Sequence, residues 1–319
     1  MKILVTGGAG RLGRSTLDAL ADAGHEVVCV DRAPAVGFAG RQVDVDLLDP
    51  SAFSRFVADE RPAAIVHLAA IAVPFSAPEG VILETNSRLA FTVLDAAREH
   101  GVSRVLAASS PTVIGYGSPT GWAPDSLPID EKHSTRPWNA YSLSKQLVES
   151  MVAMFARQQS TTVFGAFRPC FVISPGEWAG EPTQQGHTVA ERLRDPALAA
   201  VALFNYVDAR DAAAFVLAWL DRAGPRQSGE VYFVGADDAL ATEPLDALLP
   251  RFLPGVDASA LGGTSPVFSS TAARRDLGWA PTRGWRTELD PAALAALAPA
   301  SSPAPSSTPV GAPATPGTR

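Results

Sequence analysis

The segment KILVTGGAGRLG at positions 2–13 constrains this chain more than any other. An apolar run of strand length opens directly into glycines at 7, 8, 10 and 13. Arg11–Ala23 then carries Leu12, Leu17 and Leu20 on one helical face until Gly24 stops it. A strand, a glycine turn and a helix in that order make a dinucleotide-binding signature, although spaced glycines alone would not. Gly7 permits the tight turn, Gly10 lets backbone approach a pyrophosphate, and Gly13 lets the helix pack close to the sheet. The helix start, with Arg11 and Leu12 in its first turn, offers free N–H donors and a partial positive charge to that phosphate.

The pattern continues as strands separated by helices. Glu26–Val30 reads as a second strand and Arg41–Val45 as a short third. Asp49 caps a helix running through Asp59, and Ala63–His67 is a fourth strand. Gly80–His100 is a long helix closed by Gly101, Ser103–Ser109 a fifth strand, and a further helix after Trp138 runs to Arg157 before the strand Thr162–Phe167. This alternation predicts an α/β chain with a Rossmann-type, doubly wound parallel sheet. Beyond Pro169 the pattern loosens: Ser174–Gly186 reads as a loop, His187–Asp195 and Asp208–Arg222 as helices, Glu230–Val234 as a strand and Ser270–Leu277 as a short helix. The expected organisation is a dinucleotide-binding domain over 1–168 and a smaller C-terminal substrate-binding region over 169–290, some of it returning to the first domain. Residues 299–319 are Pro, Ser, Ala, Thr and Gly with one terminal charge, a composition that predicts a disordered tail.

Asp31 ends the second strand. A carboxylate there accepts the adenosine-ribose hydroxyls and repels a 2′-phosphate, which favours NAD over NADP. Arg32 beside it argues the other way, since a guanidinium can turn onto a 2′-phosphate. Net charge is −7 with no Lys/Arg cluster, which argues against a nucleic-acid or anionic-membrane partner. No apolar run approaches a membrane span of roughly 20 residues. Cys29 and Cys170 are the two cysteines, too few for a disulfide framework or a four-thiolate metal site. A cytoplasmic protein with a small-molecule substrate is the expectation.

Tyr141-Ser-Leu-Ser-Lys145 puts a phenol and an ammonium on one helical face. With 4 tyrosines and 3 lysines in 319 residues, chance supplies about 0.04 such pairs (4 × 3/319). A free tyrosine titrates near pH 10, too high for a base at neutral pH, and a neighbouring ammonium favours the phenolate. Ser109 and Ser110 close the fifth strand, at the carboxyl edge where open sheets bind ligands.

Together these residues resemble the extended short-chain dehydrogenase/reductases of the NAD-dependent epimerase/dehydratase family. The resemblance spans about residues 1–290 and carries TGGAGRLG, Asp31, Asp46-Leu47, His67-Leu-Ala-Ala70, Asn86, Ser109-Ser110, Tyr141-x-x-x-Lys145 and Arg168-Pro169. It implies that Asp46 and Leu47 contact adenine, that Leu68, Ala69 and Ala70 line the adenosine and phosphates, and that Asn86 and Pro169 belong to the cofactor site. It further implies Tyr141 as general acid/base and Lys145 as its tuner and ribose ligand. Aligning Val113-Ile114-Gly115 with the family pattern makes Ser110 the hydroxyl residue, with Ser109 one residue away as alternative. A homodimer through the Gly80–His100 and Trp138–Arg157 helices is also implied.

The sequence departs from the family's branches in telling places. Pro111-Thr112 stands where dehydratases of the family carry an acidic pair. Phe171 and Ser174 replace an asparagine and a glycine of the sugar-nucleotide epimerases, and Ala72 a serine of the uronate dehydrogenases. The expected function is hydride transfer between nicotinamide and a hydroxyl or carbonyl carbon of a small substrate, a sugar or uronate among the candidates. The alternatives are an NAD-dependent sugar or nucleotide-sugar epimerase and a non-catalytic NAD(P)-sensing protein. Trp178, Phe204, Trp138, Tyr116 and His187 are candidate substrate-side residues, although aromatic residues more often fill a core.

Overall fold

The computed structural model describes residues 1–158 and 161–297; the tail expected at 299–319 lies outside them. From the N-terminus the elements are β1 (Lys2–Thr6), α1 (Arg11–Asp22), β2 (Glu26–Val30), β3 (Arg41–Val43), α2 (Pro50–Glu60), β4 (Ala64–His67), α3 (Glu79–Glu99), β5 (Arg104–Ala108), α4 (Ala140–Ala156) and β6 (Val163–Pro169). Then follow β7 (Val172–Ile173), α5 (Pro175–Trp178), α6 (Val189–Arg194), α7 (Pro196–Ala200), β8 (Val207–Asp208), α8 (Ala209–Arg222), β9 (Val231–Val234), α9 (Leu245–Phe252) and α10 (Thr271–Leu277).

Seven strands form one parallel sheet in the order β3-β2-β1-β4-β5-β6-β9. The chain builds outward from β1 to β3, then crosses back and continues from β4 on the other side. That reversal separates the loops after β1 and β4 and opens a crevice at the carboxyl ends of the strands. Alternation along each strand explains the layers. Ile3, Val5, Val27, Cys29 and Val66 face the layer holding Leu17 and Leu20 of α1 and Phe215, Val216 and Trp219 of α8. Leu4, Val28, Ile65 and Val105 face the layer of Phe53, Val57, Val93, Leu94, Val148 and Val152. A strand buried on both faces reads as an unbroken apolar run, as KILV and AIV do here. Each fully buried Leu or Val contributes about 1.5–3 kcal/mol.

The C-terminal region rejoins this body: β9 pairs with β6, and α8 packs against α1. Two features there are unexpected, a pair of short strands and, within the expected loop over 174–186, a short helix. Val172–Ile173 pairs in parallel with Val207–Asp208, and Ser174 with Glu177 closes a capping box on α5. Two-residue strands carry no periodicity, so the sequence pattern could not show them. No helix among the described residues is long and apolar enough to cross a membrane.

Candidate functional site

The turn after β1 is built by contacts that exclude side chains. Gly7 has a φ of +73°, and a Cβ on it would lie 2.6 Å from the Ala69 amide nitrogen. A Cβ on Gly13 would lie 2.3 Å from the Gly7 carbonyl oxygen, so α1 rests directly on the turn. Gly10 caps α1 with no side-chain bond and no acidic residue stands in the first turn, which leaves the helix dipole's positive end unopposed. At the end of β2, Asp31 accepts N–H bonds from Ala9 (3.0 Å) and Ala33 (2.9 Å), one on each carboxylate oxygen. Both oxygens keep a lone pair for further donors.

One cavity of about 820 Å³ opens above these elements. Gly7, Gly10, Arg11, Leu12, Gly13, Asp31, Arg32, Asp46, Leu47, Leu68, Ala69, Ala70, Ser110, Tyr141, Lys145 and Pro169 all line it. Asn86 does not. Its Oδ1 accepts from the Ile71 amide at 2.7 Å, and its Nδ2 donates to the Ile71 carbonyl and to Ser144 Oγ (3.1 Å). The expected cofactor contact is thus corrected: its amide is consumed in fastening the loop after β4 to α4. His67 lies below the same loop, its Nδ1 2.8 Å from Thr6 Oγ1; burial, with Lys145 nearby, pushes its imidazole down to about 3, so it is neutral.

The structure separates the two serines. Ser109 is turned away, donating to Glu149 Oε1 at 2.5 Å. Ser110 begins the short 3₁₀ turn Pro111–Ile114 and lines the cavity with Tyr141, its hydroxyl acting to lower the phenol's pKa. Lys145 donates to the Ala108 carbonyl at 2.9 Å, with its Nζ 5.8 Å from the Tyr141 ring centroid. The expected lowering of the phenol by the ammonium is not what burial dictates. Desolvation raises Tyr141 above its ordinary value, with the Ser110 hydroxyl opposing it, and pushes Lys145 down to about 8. Apolar surroundings disfavour either charge more than the two groups help each other.

A pH effect follows from Lys145. Between about 8 and its ordinary 10.5 the unfolded chain holds the proton and the folded chain does not. The unfolded state binds more protons there, so stability rises with pH across that window, by about 3 kcal/mol for this group. Unfolding curves between about pH 7.5 and 10 will show this rise in the native chain relative to Lys145→Met; identical slopes in both would refute it.

Several residues around the site gave no local signal. Arg11 forms an ion pair with buried Glu177 of α5, 166 positions away, which ties the region after β6 to the glycine turn. Behind Ser109, Glu149 meets Arg168 of β6 through two bonds of 2.8 Å. Glu149 follows Lys145 by one helical turn, so the spacing Tyr141, Lys145, Glu149 was a usable signal. Among the substrate-side candidates, Tyr116 lines the cavity. Trp178 is buried, donating to Asp208 Oδ2 at 2.7 Å, and Phe204 is buried against Phe252; both serve the core. Trp138 packs on exposed Phe75 and donates to the Tyr116 carbonyl, while His187 is exposed and outside the cavity wall.

Residues 3–235 match the model of the NAD dependent epimerase/dehydratase family. The chain belongs to that family. Among curated relatives, a UDP-glucose 4-epimerase of Azospirillum brasilense is 34% identical over 161 residues, covering 47% of this chain and 43% of the relative. A uronate dehydrogenase of Pseudomonas syringae pv. tomato is 35% identical over 157 residues, covering 48% of this chain and 54% of the relative. The chain therefore matches about half the length of these relatives. A solved short-chain dehydrogenase/reductase superfamily protein of Agrobacterium tumefaciens with bound NAD superposes with a TM-score of 0.68 at 25% identity, covering 93% of this chain and 97% of that one. Family membership and the parallel seven-stranded sheet agree with the reading of the sequence.

Proposed function

We propose that this family member is an NAD-dependent oxidoreductase acting on a hydroxyl or carbonyl carbon of a small molecule. The observation that carries the proposal is one cavity onto which both the glycine turn with Asp31 and the Ser110–Tyr141–Lys145 cluster open. The residues fit a dinucleotide. The turn admits no Cβ at Gly7 or Gly13, α1 begins without a side-chain cap, and Asp31 is held by two backbone N–H groups with acceptor capacity left for ribose hydroxyls. Asp31 selects NAD over NADP, and the NAD-bound Agrobacterium protein supports the same cofactor. Asp46, Leu47, Leu68, Ala69 and Ala70 would hold its adenosine half, and Arg11, Leu12, Lys145 and Pro169 the rest.

When bound, the nicotinamide supplies hydride-transfer chemistry. The protein's part is proton movement and orientation. Tyr141 Oη takes or returns the proton of the substrate oxygen, and Ser110 Oγ, on the same cavity wall, directs the oxygen to it. Lys145, fixed by the Ala108 carbonyl, favours the phenolate when the proton leaves. The domain division at 168 follows this reading, with the chain after Pro169 supplying Phe171, Gln184, Gln185 and Val201 to the substrate side.

The test is stoichiometric. With a panel of sugars, uronates and secondary alcohols, NADH accumulates one for one with oxidised product. An isomerised product with no net NADH establishes instead the epimerase reading, which the Azospirillum relative's name favours. We also propose a cytoplasmic location, where the free buried thiols of Cys29 and Cys170 stay reduced, and a homodimer. Val81 and Phe91 of α3 and Leu143 and Met154 of α4 are large apolar side chains left exposed. Light scattering at micromolar concentration will give twice the chain mass, and Phe91→Glu will halve it; a native monomer refutes the dimer.

A further inference from the structure

Arg192 of α6 is 1% exposed and has no carboxylate partner among the described residues. Its guanidinium lies 4.3 Å over the Phe171 ring, and its Nη1 donates to Gln185 Oε1. Nε and Nη2 are enclosed without a hydrogen-bond partner among the described residues. Arg168, equally buried, shows the ordinary solution, two bonds to a glutamate. Burial pushes Arg192 down to about 10, which leaves it cationic at neutral pH. A buried charge without a counter-ion and with two orphaned donors is costly and calls for an explanation.

Position supplies one. Phe171 and Gln185 both line the cavity that holds Ser110 and Tyr141, so the guanidinium sits one side chain behind its wall. Gln185 projects from a closed turn, in which the Thr183 amide and hydroxyl both bond the His187 carbonyl, and its side chain is exposed. A guanidinium only donates, so the Gln185 amide oxygen must face it. That oxygen stands where an anion's oxygen would sit.

We propose that Arg192 is the anion-recognition group of the substrate side and that the substrate carries a carboxylate, which displaces Gln185 to reach it. The inference rests on the oxidoreductase reading and adds the substrate class. Charge counting favours a carboxylate over a nucleoside diphosphate. Among the described cationic residues lining the cavity, Arg11 is paired with Glu177, Lys145 is bonded to the Ala108 carbonyl, and Arg32 stands beside Asp31 at the end of β2. With Arg32 at the end of β2, away from Tyr141, the substrate side has one guanidinium without a carboxylate partner among the described residues; it matches one negative charge, and a planar carboxylate matches its fork of donors. A neutral amide gives way to an ion because charge-assisted hydrogen bonds are about twice as strong as neutral ones.

The experiment titrates the NADH-loaded protein with matched pairs, galacturonate against galactose, glucuronate against glucose and mandelate against 1-phenylethanol, and with UDP. At least one carboxylate will bind about tenfold or more tightly than its neutral counterpart and more tightly than UDP. Arg192→Met will erase that preference and Arg192→Lys will keep part of it. Gln185→Ala, which removes the competing amide and leaves the core intact, will strengthen carboxylate binding roughly threefold. The inference is overturned if no pair is discriminated, if the preference survives in Arg192→Met, if Gln185→Ala weakens carboxylate binding, or if UDP binds more tightly than every carboxylate. NADH binding without discrimination overturns this inference alone; failure of NADH to bind overturns the oxidoreductase reading with it.

Discussion

Tyr141→Phe is expected to lower kcat by on the order of a thousandfold while leaving NAD affinity within about threefold of the native value. The change removes one oxygen from a ring that is 8% exposed, and it leaves the packing of Tyr141 with Ile82 and Ala140 in place. What disappears is the group that passes a proton to or from the substrate oxygen. Ser110 cannot substitute, since a hydroxyl of far higher pKa does not ionise there. Its oxygen already accepts from Thr112, through the amide at 3.3 Å and the hydroxyl at 3.0 Å. The raised pKa of the phenol sets the pH behaviour: activity in the oxidative direction climbs with pH as the phenolate forms, and the phenylalanine variant loses that climb. Lost hydrogen bonding costs about 1 kcal/mol of stability, so the variant stays folded. Measured kcat above a tenth of the native value, with that pH climb intact, would remove Tyr141 from the chemistry.

What the sequence discloses and what it hides divide along chain distance. The glycine turn, Asp31 and the Tyr141–Lys145 pair are each read over a few residues, where helix or strand geometry fixes relative position before any tertiary contact forms. The sheet is legible for the same reason, because strands buried on both faces are unbroken apolar runs. The alignment of Val113-Ile114-Gly115 favours Ser110 over Ser109, but the reason Ser109 is unsuited shows only in three dimensions, where Glu149, forty residues away in sequence, takes its hydroxyl. Asn86 misleads in the opposite way: a polar residue in a motif suggests a ligand contact, yet its amide bonds Ile71 and Ser144. Arg192 gives no signal at all. It stands in a six-residue helix whose sequence, VAERLR, reads as a solvated face, and only its burial against Phe171 makes it notable. Between Pro169 and α8 the elements shorten to two to six residues, below the length at which periodicity separates helix from strand.

Glu149→Ala is expected to destabilise the protein by about 3–5 kcal/mol, a large part of a typical domain's stability. Glu149 holds Arg168 through both carboxylate oxygens, and Arg168 is 3% exposed with its Nη1 already lacking a partner among the described residues. Without the carboxylate, a buried guanidinium is left with the Phe233 ring, 4.8 Å from its central carbon, and the Coulombic attraction of Glu131, with which it makes no ion pair. The double variant Glu149→Leu/Arg168→Met, which removes both charges and keeps side-chain volume, should recover most of the loss, because a paired buried charge costs far less than a single one. Urea unfolding of the native chain, both single variants and the double variant measures the coupling directly. The same carboxylate accepts the Ser109 hydroxyl, and the Ser109 amide donates to the Phe167 carbonyl at 2.7 Å. Glu149 therefore positions the strand end on which Ser110 stands. The double variant should accordingly fold like the native protein yet turn over more slowly, with kcat reduced more than NAD affinity. A loss under about 1 kcal/mol in Glu149→Ala, or native kcat in the double variant, would show that this ion pair neither supports the sheet edge nor places the serine.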